Sequence, residues 1–510
     1  MSAISISTKS YSYHDFSIFL KGSVKVRVDS GVQKIIKDSR DRFNKILHSK
    51  EKIYGVNTGF GKLSQMTISE SDQKKLQLNL IRSHAVGVGK PINPGITRIL
   101  LFLKILTFAK GFSGVRYDVV DQILKLLHHD ILPIIPRQGS VGASGDLAPL
   151  AHMSLALIGE GEVIYQNRRM SSLHALKKVG MKPLILQAKE GLSLINGTQY
   201  STALAISCLI KAGNLLITAD ISGALTTEAS LSSRKNYLPS VHRLKKHKSQ
   251  IQSATNIWNI LENSEIVLSH KNCDRMQDPY SIRCIPQVHG ACREMVKNAS
   301  VIINNEINSV SDNPLVLKNN HVLNSGHFHG EFIAQAMDSL SIAMSEIGSI
   351  SQKRIHYVMK GIGDIVPQFV AHNPGLESGL MLAHVTTAAL ASENKTLSHP
   401  ASVDSISTSG GQEDFVSMSP GAAMKALSIL ENVKNILAIE LFVSVKTSIN
   451  FHQPLNVGKG CNPVIQLLKK HIKFEKGDQL IYKDIELISD FIEKEKILTS
   501  VQKKVILSTL

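Results

Sequence analysis

The sequence predicts a mainly α-helical protein in which a body of long helices follows a smaller N-terminal lobe. Long apolar segments come after residue 196, whereas short elements and glycine-rich loops precede it. The chain has 510 residues, more than one domain usually holds. Its 43% hydrophobic and 19% charged content is typical of a soluble globular protein with an ample core. We therefore expect an N-terminal lobe over residues 1–195 and a long helical bundle over residues 196–510.

Four segments carry the helical prediction, in chain order. Residues 201–228 are rich in Ala, Leu and Ile, which predicts a helix buried nearly all round. From Gly290 onward, apolar residues recur at spacings of three, four and seven, which places one apolar stripe on a long helix. That helix should end near the Asp-Asn-Pro of residues 312–314, because the residue before a proline avoids helical angles. Residues 388–394 and 422–445 resemble the first segment, and such faces favour a bundle packed between subunits.

The cysteines and apolar stretches predict a cytoplasmic protein without membrane segments or metal. The five cysteines are odd in number, scattered and without a Cys-x-x-Cys pair, so they indicate neither a disulfide framework nor a zinc site. The first residues lack a basic start followed by an apolar core, so we expect no signal peptide. The apolar stretch of residues 99–112 is interrupted by Lys104 and Lys110 and is too short to span a bilayer.

The formal net charge of +17 leaves a second class of function open, a catalytically silent helical protein that binds nucleic acid. Basic clusters at residues 243–248 and 469–473 supply part of this charge. They lack interleaved aromatic residues, and only 5% of the chain is aromatic. A solvated basic surface explains them better, and it would also attract an anionic carboxylate substrate. We expect no nucleic-acid partner.

The glycine-rich turn of residues 139–150 contains Ala143, Ser144 and Gly145, which together can carry out unusual backbone chemistry. In a tightly bent turn, the amide nitrogen of Gly145 reaches the carbonyl carbon of Ala143 and closes a five-membered ring. Glycine is needed there because only glycine tolerates the required angles without crowding. Loss of water from the ring, and of the Ser144 hydroxyl by β-elimination, leaves a methylidene-imidazolone. This group is an electrophile that no ordinary side chain supplies.

Two simpler interpretations of this turn compete with the first. The segment can be a plain loop before a helix, with Asp146 near the helix start. It also resembles the Gly-x-Ser-x-Gly nucleophile elbow, but Asp146 stands where that pattern needs its second glycine. The serine-hydrolase interpretation is therefore poor. In the first interpretation, Asp146 helps the ring to form.

The turn belongs to a series of motifs that resembles the histidine ammonia-lyase family, among the aromatic amino acid ammonia-lyases. Residues 142–152, Gly-Ala-Ser-Gly-Asp-Leu-Ala-Pro-Leu-Ala-His, are similar to the prosthetic-group segment of that family. The resemblance covers about residues 50 to 450. Further matching segments follow in one order: Tyr54-Gly55-Val56-Asn57-Thr58-Gly59-Phe60-Gly61, Ser83-His84-Ala85, Asn196-Gly197-Thr198, Gln277-Asp278-Pro279-Tyr280-Ser281-Ile282-Arg283-Cys284, Glu306-Ile307-Asn308-Ser309, Asp312-Asn313-Pro314 and Gln412-Glu413-Asp414.

This resemblance implies a carbon–nitrogen lyase of histidine catabolism that converts L-histidine to trans-urocanate and ammonia. It implies a methylidene-imidazolone formed from Ala143, Ser144 and Gly145, with no metal and no external cofactor. It also implies a homotetramer whose active sites draw residues from more than one subunit, so that Tyr54 and Arg283 serve Ser144 of a neighbouring chain. A tyrosine or phenylalanine ammonia-lyase or aminomutase with the same electrophile remains the alternative.

The resemblance also assigns the catalytic roles. Tyr54, on a mobile loop with glycine hinges, is the base for the β-proton. The covalent step belongs to the electrophile derived from Ser144. Tyr280 and Asn196 surround the prosthetic ring and the reacting amine. Arg283 holds the substrate carboxylate in a bidentate fork that lysine cannot copy.

The remaining assignments concern the substrate pocket. Gln277 and Phe328 line it, while His84 and Glu413 decide the substrate. An imidazole needs a polar pocket with a hydrogen-bond acceptor, and Glu413 can accept from the ring N–H or pair with an imidazolium. The Ser83-His84 pair resembles histidine lyases, although some tyrosine lyases share it, so Glu413 and the Gln277–Ser281 segment favour histidine.

Three positions depart from the family pattern near the expected pocket. His327 stands where the family commonly has Asn, Phe415 replaces the His that often follows Gln-Glu-Asp, and Gly411 precedes Gln412 where Asn is usual. These departures bear on fine specificity and catalytic efficiency.

Overall fold

The computed structural model describes residues 3–49, 51–271 and 275–509. Within these ranges the chain forms twenty α-helices and nine short strands, which confirms the mainly α-helical prediction. The helices are α1 Ser17–Lys21, α2 Ser30–His48, α3 Gln73–His84, α4 Pro94–Ala109, α5 Tyr117–His129, α6 Leu147–Leu157, α7 Ser172–Lys178, α8 Glu190–Ile195, α9 Gln199–Ala229, α10 Pro239–His242, α11 Lys248–Ile260, α12 Glu265–Ser269, α13 Tyr280–Arg283, α14 Ile285–Ile307, α15 Glu331–Met359, α16 Met381–Leu397, α17 Ser419–Phe451, α18 Cys461–Lys469, α19 Tyr482–Glu493 and α20 Lys496–Gln502.

The strands are short and form four small sheets. Strands β1 and β2 pair in parallel, β3 pairs with β5, β6 lies between β4 and β7, and β8 pairs with β9, the last three sheets being antiparallel. Their bounds are β1 Ala3–Ile6, β2 Lys25–Val28, β3 Val88–Pro91, β4 Leu132–Pro133, β5 Pro136–Gln138, β6 Glu162–Tyr165, β7 Arg168–Ser171, β8 Leu315–Val316 and β9 Val322–Leu323.

The chain divides into two compact units that are assembled from separate stretches of sequence. The first unit comprises Met1–Ser207, Ser300–Asp338 and Pro400–Met424, and the second comprises Cys208–Ala299, Ser339–His399 and Lys425–Leu510. Every strand in the described ranges lies in the first unit. The sequential division at residue 195 stays a prediction, since the units do not follow chain order.

The long helices occupy the segments that the patterns indicated. The apolar segment 201–228 lies within α9, and the striped segment after Gly290 lies within α14, which ends at Ile307, before the Asp-Asn-Pro of residues 312–314. Helix α9 is long and apolar enough to cross a membrane by length and composition. However, 78% of its most apolar window is buried inside the protein.

Local signals in the first unit fix the start of helix α4. Helix α4 begins with Pro94 in its first turn, where a missing N–H costs nothing. The side chain of Asn93 caps this helix by accepting a hydrogen bond from the Gly95 amide at 2.8 Å. Nearly every residue of α4 is buried, including Lys104.

The second unit buries an ion pair between α15 and α17. Arg354 and Glu440 have fully buried side chains, and their closest N–O distance is 2.5 Å. The Ser351 and Thr226 hydroxyls also donate to the Glu440 carboxylate, at 2.5 and 2.7 Å. Burial alone would raise the pKa of Glu440, but Arg354 and these hydrogen bonds outweigh it and hold the pKa below its ordinary value.

We expect Arg354→Met to lower the free energy of unfolding by about 3–5 kcal/mol at neutral pH, because it leaves Glu440 buried and unpaired. In the wild type the lowered pKa contributes stability above the ordinary pKa of Glu, and this contribution is lost as the pH falls through the lowered value. In the variant, protonation of Glu440 relieves the buried charge, so the deficit should shrink on acidification. Urea unfolding midpoints at two pH values measure both effects.

The matched control is Arg169→Met, which breaks an exposed pair with Glu162 whose side chains are 63% and 49% exposed. Its midpoint should barely move, since exposed pairs contribute little. Equal shifts in the two variants, or a deficit in Arg354→Met that does not change with pH, would contradict the role of burial.

Candidate active site

The first unit contains a cavity of about 900 Å³. Its lining comes from the loop that follows Tyr54, from α3, from the glycine-rich turn, from the end of α8 and from the segments near residues 325 and 412. Seven of the residues predicted from sequence line it: Tyr54, His84, Ala143, Ser144, Asn196, Phe328 and Glu413. Segments far apart in the chain therefore meet around one cavity.

The glycine-rich turn is bent at two glycines that no other residue can replace. Gly142 and Gly145 have φ of +63° and +76°, in the left-handed region that favours glycine. A Cβ on Gly145 would lie 2.3 Å from the carbonyl oxygen of Gly197, and one on Gly142 would lie 2.3 Å from the Ser417 hydroxyl oxygen. The turn thus requires glycine at both positions for conformational and steric reasons.

Asp146 fixes the end of this turn from within the protein. Its side chain is fully buried and accepts hydrogen bonds from the Ser201 amide and hydroxyl, both at 2.8 Å, and from the Ser140 hydroxyl at 3.2 Å. Its own amide donates to the Gly197 carbonyl at 2.8 Å. Burial raises the pKa of Asp146 to about 6 against these hydrogen bonds. Asp146 directly precedes α6, but its side chain makes no capping hydrogen bond, so the plain helix-start interpretation does not explain it.

The residues present fit the five-membered ring that the sequence predicts. The backbone is bent on both sides of Ala143 and Ser144, Gly145 has no room for a side chain, and Ser144 lines the cavity. Asn196 also lines the cavity and is 3% exposed. Its side-chain oxygen has no hydrogen-bond partner within the described residues, so this buried acceptor is left for a group that the unmodified residues do not supply.

Glu413 is anchored at both carboxylate oxygens. The Ser144 hydroxyl donates to Oε1 at 2.5 Å, while the Thr408 and Ser409 hydroxyls donate to Oε2 at 2.9 and 2.6 Å. Burial alone would raise the pKa of Glu413, but these hydrogen bonds and the nearby His84 lower it. Glu413 is therefore a carboxylate at neutral pH, held next to the residue that the predicted chemistry consumes.

His84 ends α3 and faces the same cavity. Its Nδ1 donates to the Leu80 carbonyl at 2.8 Å. Burial lowers the pKa of His84, against the raising effects of Leu80 and Glu413. With Nδ1 carrying the proton, the neutral ring presents Nε2 as an acceptor. The cavity thus holds one anionic and one neutral acceptor of N–H groups.

Tyr54 is half-buried. It lies on a loop whose conformation is stabilised by contacts between residues of the loop itself. The Gly61 amide donates to the Tyr54 hydroxyl oxygen at 2.9 Å, and the Phe60 ring packs edge-on to the Tyr54 ring. Gly55 has a φ of +67°, and a Cβ there would lie 2.4 Å from the Phe60 ring. The loop conformation therefore depends on glycine, and it presents an N–H group to the Tyr54 oxygen.

Three predicted residues lie in the second unit and are not part of this lining: Gln277, Tyr280 and Arg283. The Arg283 guanidinium donates to the Gln277 side-chain oxygen, and Tyr280 is 73% exposed. Tyr54 and Ser144, in contrast, line one cavity of a single chain. The expectation that Tyr54 serves Ser144 of a neighbouring chain is therefore corrected, because the chain already brings the two together; for Arg283 it stays a prediction.

The departures from the family pattern have different surroundings. Phe415 lines the cavity and stacks on His329, which also lines it, with ring centroids 6.2 Å apart. His327 is exposed and outside the lining. Gly411 also lies outside it and has a φ of +86°, so the backbone favours glycine there. Sequence reasoning missed His329, although it directly follows the predicted Phe328.

Within the described ranges, no group of three or more His, Cys, Asp or Glu side chains could hold a metal ion. None of the four cysteines in the described ranges, Cys208, Cys284, Cys292 and Cys461, forms a disulfide. Cys273 lies outside the described residues.

Known proteins resemble this chain in both sequence and structure. A family model described as aromatic amino acid lyase matches residues 12–470. A histidine ammonia-lyase from Myxococcus xanthus is 42% identical over 92% of both chains. The crystal structure of histidine ammonia-lyase from Trypanosoma cruzi superposes with a TM-score of 0.91 at 35% identity, covering 99% of this chain and 96% of that one. Tyrosine aminomutase from Streptomyces globisporus superposes with a TM-score of 0.94 at 30% identity over the whole of both chains.

Proposed function

The chain belongs to the aromatic amino acid lyase family, and from this membership we propose that it removes ammonia from L-histidine to give trans-urocanate. The observation that carries the proposal is that the Glu413 carboxylate and His84 both line the cavity that contains Ser144. An imidazole N–H can donate to either group, whereas a phenyl ring offers them no donor. A phenylalanine ring would therefore offer no donor to His84 or, once the Ser144 hydroxyl is lost, to Oε1 of Glu413.

The prosthetic group belongs to the same proposal. A methylidene-imidazolone built from Ala143, Ser144 and Gly145 would supply the electrophile that makes the substrate amine a better leaving group. The Ser144 hydroxyl donates to Oε1 of Glu413 at 2.5 Å. Loss of that hydroxyl frees Oε1, so maturation of the site would itself unmask the acceptor for the substrate ring.

We propose Tyr54 as the base that takes the β-proton. A general base must lie within hydrogen-bond reach of the proton that it takes. The Gly61 amide donates to the Tyr54 hydroxyl oxygen at 2.9 Å, which helps to fix the position of that oxygen at the cavity. Closure of the loop over the substrate would exclude water from the proton transfer.

Arg283 is proposed to bind the substrate carboxylate, with Gln277 orienting its guanidinium through their hydrogen bond. Tyr280 would act beside the reacting amine. Because Gln277, Tyr280 and Arg283 do not line the cavity of their own chain, we propose, in line with the family resemblance, a homotetramer in which neighbouring chains complete each site. We also propose a cytoplasmic location without a membrane or nucleic-acid partner.

Glu413→Gln tests the substrate assignment, because it keeps the volume and removes the charge. We expect kcat/KM for histidine to fall about ten- to hundredfold, the usual value of a hydrogen bond to a charged group. Purified protein should be assayed with histidine, tyrosine and phenylalanine, with detection of conjugated products and of β-amino acids. The control Glu486→Gln lies on the exposed face of α19 and should retain wild-type turnover.

Unchanged histidine turnover in Glu413→Gln would remove Glu413 from substrate recognition. Wild-type activity confined to tyrosine or phenylalanine, or a β-amino acid product, would replace histidine by the alternative substrates. Salt-sensitive retention of DNA or RNA without any lyase activity would instead favour the binding protein that the net charge left open.

A further inference from the structure

Lys104 lies on α4 with its side chain fully buried. Its Nζ donates to the backbone carbonyl oxygen of Asn196 at 2.6 Å and to the side-chain oxygen of Gln199 at 3.3 Å. The amide nitrogen of Gln199 donates to Thr107 and Ser311, which turns the oxygen of that amide towards Lys104. Lys104 therefore binds the backbone of the segment whose Asn196 side chain lines the cavity.

No carboxylate lies within ion-pair distance of this ammonium in the described part of the chain. The nearest charged groups that influence it are Asp312, Asp146 and Lys189, and Lys189 itself faces Asp312 at 3.6 Å. Burial lowers the pKa of Lys104 to about 7 against the two acids. A buried lysine without a paired carboxylate is costly, so packing alone does not account for it: methionine would fill the same space at less cost.

The Asn196 carbonyl that Lys104 holds is the start of a short path to the reactive turn. Asn196 and Gly197 share the peptide bond whose oxygen binds Lys104. Gly197 pairs with Gly145 in an isolated bridge, and its carbonyl accepts the Asp146 amide. A Cβ on Gly145 would come within 2.6 Å of the Gly197 nitrogen. The Asn196 carbonyl therefore connects Lys104 with two parts of the site. One is the Asn196 side chain, which belongs to the same residue, and the other is the Gly145 backbone, which pairs with Gly197.

We propose that Lys104 is a positioning residue that holds the Asn196–Gly197 peptide against the Ser144–Asp146 turn, so that ring closure and subsequent turnover depend on the hydrogen bonds that its Nζ donates. In the step it supports, the Gly145 nitrogen bonds to the Ala143 carbonyl carbon. The Ala143 carbonyl oxygen leaves as one water with the hydrogens of the Gly145 and Ser144 amide nitrogens, and a double bond then joins the Ala143 carbon to the Ser144 nitrogen. The Ser144 hydroxyl leaves as a second water with the Ser144 α-hydrogen, and no oxidant is required. This inference rests on the proposed function, because it assumes that the ring forms.

Ring closure can be measured separately from activity. The protein is made by cell-free translation and sampled over time, and the intact mass of each sample is measured. The wild type should lose the mass of two waters. Lys104→Met should lose it about ten- to hundredfold more slowly, the value of one charged hydrogen bond, and its mature fraction should show reduced kcat with little change in KM. Lys104→Arg, which keeps a cationic donor, should restore much of the rate.

Lys189→Met is the matched control, since it removes an equally buried ammonium that donates to Ser193 at 2.7 Å instead of Asn196. Circular dichroism melts monitor folding in every variant, and Lys104→Gln replaces Lys104→Met should the latter misfold.

Wild-type kinetics of mass loss and turnover in folded Lys104→Met would overturn the inference, as would equal slowing in Lys189→Met. Failure of both Lys104→Met and Lys104→Gln to fold would also overturn it, because the role would then be structural. A wild-type protein that is active yet keeps its full translated mass would instead overturn the proposed prosthetic group.

Discussion

Ser144→Ala should lose histidine turnover by at least about a thousandfold, or about 4 kcal/mol of transition-state stabilisation. Alanine has no hydroxyl to eliminate, so the electrophile cannot form, and no other side chain around the cavity supplies an equivalent electrophile. The intact mass of the variant should fall by one water at most, whereas that of the wild type should fall by two. Mass spectrometry and a urocanate assay on the same preparations measure both.

The variant should nevertheless stay folded. Ser144 is half-buried at the cavity wall, and its hydroxyl bonds to Glu413, which keeps its hydrogen bonds from Thr408 and Ser409. A truncation of this kind normally changes stability by no more than about 1 kcal/mol. The control Ser154→Ala, on α6, removes a hydroxyl that bonds only to its own helix, at 2.7 Å to the Leu150 carbonyl, and should keep full activity. An active Ser144→Ala variant, or a fully active wild type at unmodified mass, would end the proposal.

The helical part of the fold could be predicted because its signals are local. Helices α9 and α17 are apolar on nearly every face, and the stripe on α14 stops shortly before a proline. The division into units could not be predicted in the same way. Each unit combines stretches from three separate regions of the chain, and long-range packing of this kind leaves no periodic signal in a single sequence.

The candidate site shows the same limit. The motifs indicated Ser144 and Glu413 separately, but not that a hydrogen bond would join residues 269 positions apart. In the sequence, Lys104 is only a charged residue that interrupts an apolar stretch. The role that we propose for it depends on its hydrogen bond to the Asn196 carbonyl, 92 residues away. A lysine inside an otherwise buried helix was the signal available, and sequence alone could not say what it binds.

The proposed tetramer predicts that two inactive variants restore each other. Arg283→Met loses the carboxylate fork and Ser144→Ala loses the electrophile, so each homotetramer should be nearly inactive. If neighbouring chains complete each site, mixed tetramers contain some sites with both residues intact. In a one-to-one mixture, random pairing gives about one quarter of the sites an intact Ser144 and an intact Arg283. Activity should therefore rise well above the sum of the separate variants once subunits exchange.

Tyr54→Phe mixed with Ser144→Ala is the matched control. Tyr54 and Ser144 line one cavity of the same chain, so every site in that mixture lacks one of the two residues, and no activity should return. Exchange itself is verified by native mass spectrometry of chains that carry different tags. Restoration in both mixtures would mean that Tyr54 also crosses to a neighbour. Restoration in neither, despite proven exchange, would mean that each chain builds its own complete site, because Arg283 would then serve the Ser144 of its own chain.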